Sequence, residues 1–375
     1  MPISVVNAGS VGDSVVQGFR NLIINGAMQV AQRGTSFTSQ TGVAYHIDRF
    51  ETQAYNVGTA QYKAEQSTEA PDGFYHSLKY SCTTADTSQD ANNQFYIQQQ
   101  IEAQNIYHLK FYEANPDSVT ISFYVRSNTT GSYGMTLKLS DNNSSDSNVG
   151  TRIYPTTFSI SSADTWQRIT KTITLDSSTS EVRSTGNNFG MALVIWLAAG
   201  SSRQGATADA WAGNGNATTT IDADDFLGST SNNFHLTGVQ LEVGSQATPF
   251  EHEDFATTLR KCQRYFEKTY PYASPIGTAG VYNTEWPLGA VGMDGASGQR
   301  YHTAQWKVEK RLNCTMVIYD YAGTSGKVST VSGAGVITNN RAAALVFAGE
   351  TIFGAGPANG AYGGVLYHAT GDAEL

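Results

Sequence analysis

Strict alternation of apolar and polar residues is the feature that most constrains this chain. Val119, Ile121, Phe123 and Val125 fall on one side of a two-residue period, with Thr120, Ser122 and Tyr124 on the other. Met135, Leu137 and Leu139 repeat the pattern against Thr136 and Lys138, and Ile169, Ile173 and Leu175 against Thr170, Thr172 and Thr174. Successive side chains of a strand point to opposite faces, so this period demands half-buried strands. The nine-residue apolar run Met191–Ala199 reads as a buried strand. Phe234 and Leu236 share one phase while Val239, Leu241 and Val243 are shifted by one, and Gly238 sits at the slip, which predicts a β-bulge there. Asn/Gly/Ser-rich turns separate these runs. The expected fold class is all-β: a jelly-roll β-sandwich, then a short linking α-helix, then a second, smaller C-terminal β domain.

A length of 375 residues allows two or three domains. Residues 1–20 are short and glycine-broken, and read as an arm that orders against a neighbouring subunit or docking partner, or else as a frayed terminus. Residues 21–252 carry the sandwich pattern. In 253–270, Phe255, Leu259, Cys262 and Phe266 recur at helical spacing, Arg260, Lys261, Arg264 and Lys268 fill the remainder, and Pro271 follows. Residues 271–375 hold further strand-sized apolar patches between glycine turns and form the second β domain.

The charge balance excludes one partner class. A net charge of −9 without a basic run argues against nucleic acid. No apolar window reaches 18 residues, so no membrane insertion by a helix is expected, and Met1–Arg20 lacks the layout of a secretory signal. Cys82, Cys262 and Cys314 are odd in number and widely spaced, which suits buried free thiols rather than a disulfide framework.

Catalytic patterns are mostly missing. No GxSxG elbow occurs. Gly323-Thr-Ser-Gly-Lys327 lacks the P-loop's first glycine and its hydroxyl, and Gly354–Gly360 misses the dinucleotide-binding spacing by one. Asp141–Asp146 opens like a calcium loop, but Arg152 stands where a bidentate Glu belongs. Asp222, Asp224 and Asp225 are weak Ca²⁺ candidates, with a solvated turn as the plainer reading. Glu251-His-Glu-Asp254 sits at a helix start, where acidic residues are expected without a metal. No acid pair is singled out for glycoside hydrolysis, so no catalytic residue, no cofactor and no enzyme activity are expected. Aromatic residues stand in polar contexts instead. Trp211, Tyr282, Trp286, Tyr301 and Trp306 are the candidate ligand contacts, because such rings offer an apolar face with a polar tip. Their clustering places ligand contact mainly after residue 270.

Two long stretches then resemble a known family. Asn21-Leu-Ile-Ile-Asn-Gly-Ala-Met-Gln-Val30 with Tyr45-His-Ile-Asp-Arg-Phe50, and Leu236–Phe250 continued by Leu259–Lys268, resemble bacteriophage tail-fibre and minor tail proteins. The Leu236–Phe250 run and Thr165-Trp-Gln-Arg168 also resemble strands of carbohydrate-binding-module-like jelly rolls. The resemblance covers about residues 21–270. It implies a virion component on the tail or another external appendage, commonly a homotrimer, docked to other tail or baseplate proteins through residues 1–20. It further implies a distal tip, residues 271–375, that attaches to a host surface glycan or protein receptor. The alternatives are a head fibre or tail-decorating protein without a receptor role and, third, a surface-polysaccharide depolymerase.

Overall fold

Val119, Ile121, Phe123 and Val125 are fully buried, and so are Met135, Leu137 and Leu139. The alternation read from the sequence thus marks the inner faces of two opposed sheets. The computed structural model describes residues 20–88, 90–141, 151–215, 217–219, 226–281, 302–332, 334–358 and 364–375. They fall into two compact units: residues up to Gln29 with Ser36–Ala44 and Phe50–Glu253, and Val30–Thr35 with Tyr45–Arg49 and Asp254–Leu375.

The first unit is an antiparallel sandwich. One sheet runs β1 (Ser36–Gln40), β4 (Gln61–Ser67), β5 (Ser77–Thr84), β13 (Asn233–Val243), β7 (Ser118–Ser127), β10 (Gln167–Thr174). Within this unit the other runs β12 (Ala212–Gly213), β9 (Thr151–Ile160), β8 (Gly131–Ser140), β11 (Phe189–Ala199), β6 (Gln94–Glu102), β3 (Phe50–Tyr55). β11 is buried along its whole length, as its unbroken apolar run requires. Tyr62, Tyr80 and Phe95 interlock between the sheets, with Tyr62 and Phe95 ring centroids 4.9 Å apart. Each large apolar side chain buried in this way contributes about 1.5–3 kcal/mol.

The bulge predicted at Gly238 is present. Pairing of β13 with β7 slips between Thr237 and Gln240, and Gly238 takes φ +61°. A Cβ there would lie 2.7 Å from Phe74 Cζ and 2.9 Å from Tyr124 Cδ2, so glycine answers both a dihedral and a space requirement. The bulged backbone is met by the Asn21–Gly26 segment. Val239 N donates to Gly26 O, Leu22 N to Leu241 O, and Leu241 N to Asn21 Oδ1, at 3.0, 2.8 and 3.1 Å. Two stretches that carry the family resemblance therefore meet as scaffold.

The second unit contains Tyr45–Ile47 of β2 (Ala44–Ile47), a helix and small antiparallel sheets. One sheet runs β14 (Phe266–Lys268), β21 (His368–Asp372), β16 (Thr315–Tyr319). The other runs β15 (His302–Gln305), β19 (Ile352–Pro357), β18 (Ile337–Ala348), β17 (Lys327–Val331), β20 (Gly364–Leu366). The helix is shorter than the sequence suggests: it spans Phe255–Gln263, capped by the Asp254 carboxylate accepting from Thr257 N at 3.0 Å. It buries Thr258, Cys262 and Gln263, while Phe255 is 42% exposed. Phe266, expected on the helical face, belongs to β14 and pairs with Asp372. That pairing partner lies about a hundred residues away, so local periodicity carried no trace of it.

Asp48, Arg49 and the Tyr265–Phe266 pair, all within the resemblance, assemble in this unit around a buried charge network. Asp48 accepts from Gln32 N and Nε2 at 2.6 and 2.7 Å. The Arg49 guanidinium lies 3.4 Å from the Tyr265 ring centre and pairs with Glu374, and Arg33 bonds Asp372 at 2.9 Å. A second buried pair, Lys310 Nζ with Glu267 at 2.7 Å, has both side chains fully covered. The P-loop-like stretch at Gly323 is a turn. Asp320 Oδ1 accepts from Ala322 N and Thr324 N, and Oδ2 from Asn340 N. Cys82, Cys262 and Cys314 are all buried thiols.

Candidate functional site

Of the residues selected from the sequence, Trp306 is corrected by the structure. It is 5% exposed, stacked on Phe353 at 4.1 Å, and lies against Gly371, where a Cβ would meet the indole at 2.6 Å. It is the centre of a core with Cys314, Ala369 and Ala373, not a surface ring. The polar neighbours of Trp306 in the sequence suggested exposure; in the fold Gln305 and Lys307 are exposed while Trp306 between them is buried. Trp211 is half-buried at the edge of the sandwich. Its Nε1 donates to Thr174 O at 2.9 Å and its ring meets Tyr154 at 5.3 Å. Tyr282, Trp286 and Tyr301, and the acidic group Asp222, Asp224 and Asp225, lie outside the described residues, as do the arm 1–19 and most of the Asp141–Asn148 turn.

The arrangement with most chemical content is one the sequence reading passed over: the outer face of the β9-β8-β11-β6-β3 sheet. Phe95, Ile97 and Ile101 of β6 point to the core, so Tyr96, Gln98 and Gln100 point the other way. Register then sets a grid. Gln53, Tyr96, Trp196 and Gly134 stand in one row across β3, β6, β11 and β8. Glu51, Gln98, Val194 and Thr136 form the next, followed by Gln100, Ala192 and Lys138.

Glu51 is the hub of the amides. Its Oε1 accepts from Gln53 Nε2 at 2.7 Å, and its Oε2 accepts from Gln98 Nε2 and, at 3.4 Å, from Gln100 Nε2. Beside it the Tyr96 and Trp196 rings lie 4.6 Å apart, and the Lys138 ammonium is 5.7 Å from the Tyr96 ring centre. Trp196 Nε1 donates to Thr136 Oγ1 at 3.1 Å, and that hydroxyl donates to Thr218 O at 2.8 Å. Gln98 is 2% exposed, yet its Oε1 has no hydrogen-bond partner; the same holds for Thr218 and Thr219 Oγ1. A buried acceptor left unmet costs about 1–3 kcal/mol, so such atoms mark where a partner is wanted. A carboxylate, several amides and two ring faces on one surface match a ligand dense in hydroxyl groups.

The outer face of the opposite sheet has a different make-up. Phe74, Phe250 and His252 pack at 4.9–5.2 Å around the Gly238 bulge, with Phe74 5.4 Å from Tyr124. Trp166 meets His235 edge-on at 5.7 Å, and Glu69 takes contacts from His235, Lys79 and Arg126 at 3.2–3.4 Å. Burial, with Lys79 nearby, holds the His235 imidazole down at about 4. These rings pack on each other and on the bulge, and pin the chain that follows β13. Among the described residues no group of three or more His, Cys, Asp or Glu is placed to hold a metal ion.

No protein-family model matches the chain, and no curated protein matches it in sequence. Solved structures give weak likenesses to the sandwich. One is the enzymatically active domain of tailspike protein 4 of bacteriophage CBA120, at 10% identity and TM-score 0.28, over 60% of this chain and 21% of that one. The chain thus spans about a fifth of the tailspike's length. Others are the family 11 carbohydrate-binding module of Clostridium thermocellum, at 8% identity and TM-score 0.29 over 57% of this chain and 98% of the module, and the CBM22-2 xylan-binding domain of Paenibacillus barcinonensis Xyn10C, at 14% and 0.29 over 53% and 94%.

Proposed function

We propose that this chain is a non-enzymatic attachment protein, a phage tail fibre or similar virion appendage, whose sandwich binds surface glycan through the amide–aromatic face of its second sheet. The observation that carries the reading is Glu51 holding Gln53, Gln98 and Gln100 beside the Tyr96–Trp196 pair, with Gln98 Oε1 left unmet. Sugar hydroxyls would donate to that oxygen while a ring face stacks on the phenol. Weak contacts of this sort become firm when several copies engage one surface, which is how a trimeric appendage would use them. The resemblance in Asn21–Val30, Leu236–Phe250 and Leu259–Lys268 supports the virion placement.

A glycan array probed with the labelled full chain tests the proposal. Binding to host-surface glycans that drops at least tenfold in Gln98→Ala and Tyr96→Ala supports it. Binding that survives both substitutions moves the site elsewhere, and release of reducing ends from a bound glycan would make the chain an enzyme. A second reading, a virion-decorating protein without receptor role, is favoured by one observation: every side chain of the grid is less than a tenth exposed. Free protein that fails to block adsorption at saturating dose would select it.

A further inference from the structure

The closure of the amide–aromatic face has a described cause at the Trp196 end. The described residues between β11 and residue 219, here called the strap, return to β8 at Thr218 and Thr219. Thr219 Oγ1 occupies the place where a Gly134 Cβ would be, 2.3 Å from it, and Thr218 O accepts from Thr136. Thr218 is 8% exposed and Thr219 fully buried, and both hydroxyls lack partners. The strap's side of its contact with the sheet is therefore imperfectly satisfied.

The strap is held by polar contacts more than by apolar ones, its start tied by Gly200 N to Asn93 O and Ser202 N to Ala91 O, both at 2.8 Å. Its described residues are mostly small or polar, with Thr218 and Thr219 alone among them buried, and Arg203 O collects the amides of Thr218 and Thr219 at 2.8 and 3.0 Å. Its outward leg hangs on the edge strand β9: Asp209 N donates to Pro155 O, Thr156 Oγ1 to Asp209 Oδ1 at 2.6 Å, and Asn214 N to Thr151 O. Ala212 and Gly213, which pair there as β12, are exposed. The one large apolar anchor is Trp211, set against Tyr154 and bonded to Thr174 O. Segments with few buried apolar contacts and exposed backbone bonds open at low free-energy cost.

We infer that residues 200–215 and 217–219 are a gate over the glycan face, latched by Trp211, and that ligand binds only when the strap lifts from β8 and β9. This rests on the glycan-binding reading and assigns Trp211 a role opposite to direct contact. Trp211 holds the closed state, and Thr218 and Thr219 vacate the space a sugar ring takes beside Trp196. Apparent affinity is then the intrinsic affinity scaled by the open fraction.

Two variants of the full chain separate the outcomes. Trp211→Ala raises the open fraction, so binding to the array-selected glycan tightens by about three- to tenfold. Thr156→Cys with Asp209→Cys, oxidised with copper phenanthroline, ties strap to β9 and abolishes binding, and reduction with dithiothreitol restores it. Hydrogen exchange, which needs no ligand, shows the Asn214, Thr218 and Thr219 amides exchanging far faster than those of β8 and β11, and faster still in Trp211→Ala. Weaker or unchanged binding in Trp211→Ala, or full binding by the oxidised pair, overturns the gate while leaving the glycan reading intact. Strap amides as protected as β11 overturn it as well. If no variant binds glycan, the glycan reading fails and hydrogen exchange alone judges the gate.

Discussion

Gly238 holds a φ of +61° where the pairing of β13 with β7 slips. The phase slip predicted a bulge; only the fold shows Phe74 and Tyr124 filling the space where a side chain would project. Gly238→Ala combines a left-handed φ with overlap, and is expected to cost about 2–4 kcal/mol in urea denaturation. Gly213→Ala, with nothing within 4 Å of the new methyl, serves as the control. Trp306→Ala is expected to remove about 3–5 kcal/mol from the second unit, as a core truncation does. Loss of glycan binding in Trp306→Ala without loss of stability would restore the surface role that the sequence suggested.

At the scale of elements, the helix is the clearest lesson. Asp254 takes the N-cap, and exchanging it for alanine is expected to lower stability by about 1 kcal/mol, seen as a drop in thermal midpoint. A larger loss would mean that Asp254 does more than satisfy Thr257 N. The far end of the predicted helix went to β14, because the backbone of Phe266–Lys268 pairs with Thr370–Asp372. Strands were legible where one face is core, as in β7 and β8. The amide grid was not, because Gln and Glu on alternate positions of β3 and β6 look like any solvent-facing row. Its burial depends on what lies over the sheet, which no local pattern encodes.

For the whole molecule, acid is the expected weak point. Burial holds His46, with Arg33 nearby, at about 4, and His235 likewise. An unfolded imidazole titrates near 6.5, so between about 6.5 and 4 the unfolded chain binds more protons than the folded one. Stability is full above this window and falls as pH drops through it, by up to roughly 3 kcal/mol per histidine at about 1.4 kcal/mol for each pH unit. Denaturation midpoints at pH 7 and 4.5 should show the fall, with a flatter profile in His46→Gln and His235→Gln. A pH-independent midpoint would mean that both imidazoles are solvated.

What the amino-acid sequence determined by itself is the strand-rich class, the bulge, the turns and the buried thiols, since these follow from period, glycine placement and residue size over a few neighbours. What only the tertiary structure decided is which faces are covered. Trp306 went inside and Trp211 to an edge, and Glu51 was brought to Gln98 from 47 residues away. Burial and register are set by chain segments remote in sequence, and it is their meeting that turns ordinary polar residues into a candidate site.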